Sequence, residues 1–173
     1  MMTLEKAILT ALEYENRVRA VYQEAVARAT DPTAKRMLEV MVAEEQRHVE
    51  YLESRLAEWK KTGKVSAAAL GTDIPSAKRI QEGVKDLKDR IQLPEKMRRE
   101  AIETLKRAIE VEDETSKFYE KMVGELPAGE QQQMFRRFLE IESGHAAIVQ
   151  AELDSVQGNG FWFDVAEFGL EGA

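Results

Sequence analysis

Two copies of one four-residue pattern carry the only histidines of the chain: Glu45-Gln46-Arg47-His48 and Glu142-Ser143-Gly144-His145. Each copy follows a further glutamate by 30 positions, Glu15 in the first case and Glu112 in the second, and a tyrosine comes seven residues after each of those, Tyr22 and Tyr119. The pairs Glu15/Glu112, Tyr22/Tyr119, Glu45/Glu142 and His48/His145 share one separation, 97 positions. In the same register Ala-Leu-Glu-Tyr-Glu at 11–15 lines up with Ala-Ile-Glu-Val-Glu at 108–112, Met37 with Met134 and Leu56 with Leu153, so the sequence reads as an internal duplication. A helix puts residues i and i+3 on one face, which lets each Glu-x-x-His pair converge on a point.

The residues around these positions have helical periodicity. Ile8, Leu12, Glu15, Val18 (or Arg19), Tyr22 and Val26 form one stripe of a first helix from about Thr3 to Thr30, with Glu15 inside the apolar stripe and Glu13 about 200° away in solvent. Asp31-Pro32 supplies a cap and a first-turn proline for a second helix over 32–61, whose inner face carries Leu38, Met41, Glu45, His48, Leu52 and Trp59. A third helix is expected over 94–123, with Ile102, Leu105, Ile109 (or Ala108), Glu112, Thr115 (or Ser116), Tyr119 and Met122 inward. A fourth, over 128–157, stops at Gly158-Asn159-Gly160 and turns Phe135, Phe138, Glu142, His145, Val149 (or Ile148) and Leu153 (or Glu152) inward.

Hairpin geometry adds an independent constraint, because residues equidistant from a tight turn stand at one height. Residue 30 is midway between Glu15 and Glu45 and falls in the first turn; residue 127, midway between Glu112 and Glu142, is the proline of Gly124-Glu125-Leu126-Pro127-Ala128-Gly129. All four glutamates then sit roughly 22 Å from their own turns at about 1.5 Å per residue. Between the hairpins, 62–93 is broken by Gly63, Gly71, Pro75 and Gly83, with a short helix expected over Ser76 to Ile91. A connection of that length exceeds a hairpin loop and suits a crossover along the bundle. The expected fold is all-α: a four-helix bundle with one long crossover over residues 1–157, in the ferritin-like arrangement, followed by a tail at 158–173. That tail, with Phe161-Trp162-Phe163 and Phe168, is expected to fold back over an apolar groove of its own bundle or of a partner subunit, or else to dock another protein.

Composition narrows the function classes. A net charge of −7 and a pI near 5.1 argue against a nucleic-acid binder, which would show a basic face. No run reaches the roughly 18 apolar residues of a membrane span, and Met1-Met2-Thr3-Leu4-Glu5 has no signal-peptide character, so a cytoplasmic location is expected. Cysteine is absent, which excludes disulfides, thiolate metal sites and thiol catalysis.

Four carboxylates and two imidazoles in twofold register are the ligand set of a dinuclear site in a helical bundle. Two of the glutamates would bridge ions about 3.5–4 Å apart, and four negative charges balance two divalent cations. Without metal, four buried carboxylates would have to protonate or draw in cations. The competing arrangement, glutamates paired with Arg or Lys across a helix interface, lacks its bases: only Arg19 comes close to an inward position. Tyr22 and Tyr119 are placed as hydrogen-bond donors behind the ligands.

Over residues 3–157 this pattern resembles the rubrerythrin and ferritin-like superfamily, specifically a rubrerythrin-type di-iron domain. The resemblance implies Glu15, Glu45, His48, Glu112, Glu142 and His145 as ligands of two iron ions, a homodimer, and reduction of hydrogen peroxide or oxidation of ferrous iron with dioxygen. Zinc or manganese also suits these donors. Many members carry a four-cysteine rubredoxin domain, which has no counterpart here, so electrons are expected from an external donor protein. Typical members also place an additional glutamate where this chain has Thr115, so the symmetric six-ligand set is the one implied. The leading expectation is a di-iron peroxidase or oxidase. The alternatives are a ferroxidase or iron-storage protein, and a helical scaffold around a structural metal.

Overall fold

The computed structural model describes residues 2–83 and 92–170. These form five α-helices, α1 (Leu4–Arg28), α2 (Pro32–Thr62), α3 (Ala77–Gly83), α4 (Glu95–Glu125) and α5 (Glu130–Gly158), and a 3-10 turn at Val165–Phe168. The four long helices make a helical bundle.

Local chemistry sets the boundaries. The Thr3 side chain accepts from the Lys6 amide and caps α1, and Asp31 accepts from the Ala34 amide to start α2 with Pro32 in its first turn. Gly63 closes α2 in the left-handed region at φ 68°, where a glycine carries no Cβ penalty. The second hairpin lacks side-chain caps. There α4 runs two residues past the expected Val123, and α5 begins at Glu130 rather than Ala128 because Gly129, at φ 149°, occupies the cap position. The helix expected over 76–91 is present as Ala77–Gly83, and the rest of that expectation lies outside the described residues.

α1 packs along α2, α4 along α5, and α1 against α4, with α3 laid on α5. The apolar core is split into two clusters. One gathers Ala25 and Ala34 at the first turn with Leu105, Ala108, Ile148 and Val156. The other gathers Leu126 and Met134 at the second turn with Ile8, Leu52, Tyr119 and Phe138. The two turns therefore lie at opposite ends. Between α2 and α4, Val65 and Leu70 belong to the second cluster and Ile74 and Ile80 to the first, with Leu93 packed against it.

Most expected inward residues are buried, with three refinements. Leu12, Val26, Trp59 and Ile102 are only partly covered, and Val18, Ala108 and Thr115 point inward rather than Arg19, Ile109 and Ser116. On α5 both members of each alternative pair, Ile148 with Val149 and Glu152 with Leu153, are buried, because α3 and the tail cover the side that a bare bundle would leave to water. The tail folds back onto its own bundle: Trp162, Phe163, Phe168 and Leu170 join the first-turn cluster. Two hydrogen bonds hold it, the Phe163 amide donating to Glu152 in the interior (2.9 Å) and the Ser155 hydroxyl donating to the Phe161 carbonyl in a half-buried position (2.8 Å). Arg36 clips it from outside through Asp164 at 2.5 Å. Among the described residues no helix is long and apolar enough to cross a membrane.

Candidate metal centre

Between the two apolar clusters lies a polar layer. Glu15, Glu45, His48, Glu112, Glu142 and His145 have no accessible surface. The sequence placed all six on inward stripes at one height, and the structure brings them together there. His48 Nδ1 lies 3.0 Å from Glu15 Oε2, 3.3 Å from Glu142 Oε1 and 3.5 Å from Glu45 Oε2. His145 Nδ1 lies 2.9 Å from Glu45 Oε1 and 3.9 Å from Glu112 Oε1. The two imidazoles are parallel, 5.1 Å between centroids with planes 3° apart. Glu45 thus offers one oxygen to each ring. Glu45, His48, Glu142 and His145 each present a ligand atom within 4.8 Å of the others, so this buried cluster could hold a metal ion.

Tyr22 and Tyr119 stand behind the layer, as expected, but their partners cross between the hairpins: Tyr22 donates to Glu112 Oε1 and Tyr119 to Glu15 Oε1. Antiparallel packing of α1 on α4 requires this. A residue seven positions after Glu15 descends α1 toward the start of α4, which is where Glu112 presents its carboxyl. Each tyrosine occupies one oxygen and leaves the second to the site. Thr115 is buried beside the layer, its hydroxyl donating to the Val111 carbonyl (2.8 Å).

Polar atoms are left over. Both oxygens of Glu45 and of Glu142, Oε2 of Glu112, Nε2 of His48 and both ring nitrogens of His145 are buried without a hydrogen-bond partner. Native interiors rarely leave so many polar atoms unsatisfied in one place, since each costs about 1–3 kcal/mol. The electrostatics point the same way. Burial first, and then the Glu142 charge, push Glu15 and Glu112 well above the carboxylate range. Burial alone would lower both histidines, but the surrounding carboxylates hold them well above 6.5. Glu45 goes the other way: the two imidazoles overcome its burial and lower it. The donor set is therefore all oxygen and imidazole nitrogen, rich in negative charge and short of cations, which fits one or two divalent ions of the iron, manganese or zinc kind.

Glu44 escaped the sequence reading. It is fully covered, accepting from Arg47, from the Thr72 hydroxyl (2.8 Å) and from the Asp73 amide (3.0 Å), and its Oε2 lies 3.7 Å from His145 Nε2. Against the upward push of burial, these contacts hold it down to about 2. Thr72 and Asp73 belong to the segment between α2 and α3, which presses against α5 so closely that a Cβ on Gly144 would meet the Pro75 carbonyl oxygen at 3.0 Å.

Family models, curated proteins and solved structures give no match to this chain. Its function must be read from the site.

Proposed function

We propose that this protein is a di-iron oxidoreductase of rubrerythrin type, reducing hydrogen peroxide or dioxygen with electrons from an external donor protein. One observation carries the reading: the oxygens of Glu45 and Glu142, none of them hydrogen-bonded, lie in a buried layer with two parallel imidazoles and no Lys or Arg among the cage residues. Each ion would take one histidine with the glutamate of the same hairpin, His48 with Glu15 and His145 with Glu112. Glu45 and Glu142 would complete the ligand set. Two ferrous ions bound there would supply the two electrons that, with two protons, convert hydrogen peroxide to two waters.

The chain's own part is positional and protonic. Tyr22 and Tyr119 hold one oxygen each of Glu112 and Glu15, which aims the other oxygen inward. The apolar clusters above and below keep bulk water from the layer and strengthen every charge interaction inside it. The same reading takes the two hairpins as duplicates joined by a ferritin-like crossover, supported by the common separation of 97 positions, and takes the protein as a homodimer.

The test is anaerobic loading with ferrous iron, followed by Mössbauer spectroscopy and peroxide turnover with a chemical reductant. Two irons per chain and catalytic peroxide consumption, lost in Glu15→Ala and in Glu112→Ala, are expected. Uptake far beyond two irons would favour storage. A loaded protein with no redox-dependent absorption band would favour a structural metal.

A further inference from the structure

Glu45, His48, Glu142 and His145 repeat faithfully between the halves, but the residues behind them do not. In the same 97-residue register Glu44 corresponds to Ile141 and Arg47 to Gly144. The crossover accounts for both departures. It passes over one flank only, where Gly144 gives it room and where Thr72 and Asp73 reach Glu44. As a result the two imidazoles have different backing. His145 Nε2 faces the Glu44 carboxylate at 3.7 Å, and that carboxylate is fixed by Arg47, Thr72 and Asp73. Neither Nε2 is hydrogen-bonded, but that of His48 faces no carboxylate among the described residues; Ile141 is buried at the equivalent position, and the Phe138 ring stands edge-on, 5.3 Å from the imidazole.

A histidine that binds metal through Nδ1 must carry its proton on Nε2. An acceptor facing Nε2 fixes that tautomer and makes Nδ1 the better donor, and loss of such a partner costs about 10–100-fold in metal affinity. At His145 a carboxylate stands 3.7 Å from Nε2, a small shift short of that contact. At His48 the three nearby carboxylates favour the proton on Nδ1, so ion binding forces it onto a buried nitrogen with nothing to receive it. We propose that the two ion positions are unequal, the one at His145 filling first and holding its ion more tightly, with Glu44 as its positioning residue. This rests on the two-ion reading given above.

Cobalt(II) titration of the metal-free protein, followed by calorimetry and visible absorption, should resolve two steps about tenfold or more apart. His48→Ala should keep the tight step and His145→Ala only the weak one. Glu44→Gln should weaken the tight step about tenfold and leave the weak one in place, with circular dichroism confirming the helices. A measurement on the unmutated protein guards against misfolded variants: one equivalent of zinc(II) should move the ring-nitrogen resonances of His145 and leave those of His48. Two ions bound with equal affinity, or a first zinc at His48, overturn the inequality and leave the two-ion reading standing. Failure of the protein to bind two ions overturns both.

Discussion

Tyr119 on α4 donates its phenolic hydrogen bond to Glu15 on α1, and Tyr22 on α1 returns the contact to Glu112 on α4. Each hairpin is thus completed by a hydroxyl from the other, which ties the halves at the level of the site. Tyr119→Phe strips a buried carboxyl oxygen of its donor, and about 1–3 kcal/mol of stability should be lost. Tyr22→Phe should cost a similar amount. The double variant should depart from the sum, since both acids interact with Glu45 and Glu142 in one layer. Urea denaturation of the metal-free protein measures all three, and a loss below about 0.5 kcal/mol for either single change would show the contact to be idle.

The pH dependence of the metal-free protein follows from the directions of the shifts. Glu15, Glu112, His48 and His145 are all raised, so the folded state holds their protons longer than the unfolded chain does. Their contribution is full below the unfolded values and is lost as pH climbs through the raised ones. Glu44, held at about 2, and the lowered Glu45 act oppositely: what they add is present above the ordinary value of 4.5 and disappears as pH falls below it. The melting midpoint should therefore fall as pH rises above 6.5, where histidines of the unfolded chain give up protons that the folded state keeps. Divalent metal should reverse that decline, since it displaces the same protons and binds better as they leave. A midpoint that climbs over this range without metal would contradict the shifts.

Two helical glycines should respond differently to a side chain. Gly144 faces the Pro75 carbonyl oxygen at 3.0 Å and the Ile74 side chain at 3.4 Å, whereas Gly124 meets nothing within 4 Å. Gly144→Val should cost about 2–3 kcal/mol through overpacking. Gly124→Ala should be neutral or stabilise by a few tenths of a kcal/mol, limited by its place at the end of α4. Thermal denaturation of the pair separates a packing demand from simple helix preference.

The aromatic tail acts as part of the core. Phe163 is fully buried and its ring meets Phe168 edge-on at 5.6 Å. Phe163→Ala should destabilise by about 3–5 kcal/mol, whereas a tail reserved for another protein would leave the melting curve unchanged.

The six cage residues and both tyrosines were legible because each repeats, and because helical period and hairpin height converge on one layer. Glu44 was not. It stands next to Glu45, about 100° round the helix, where a carboxylate is ordinarily solvated. What buries it is Thr72 and Asp73, from a stretch with no periodicity to read. Gly144 looked like an indifferent member of a Glu-x-x-His pattern until the crossover was seen against it. The crossing of the tyrosines follows from antiparallel α1 and α4, a relation between hairpins that neither hairpin encodes alone. Glu152 gave no sign of its role, because its partner is a tail amide 11 residues on.

The placement of both reversals midway between paired acids has a bearing on how such a chain can vary. Lengthening either reversal leaves the rods in step and the cage intact. A single residue inserted between Glu15 and the first reversal would swing that carboxylate by about 100° and slide it by about 1.5 Å, out of reach of His48. Drift in length is therefore free at the ends of the molecule and forbidden within its shafts.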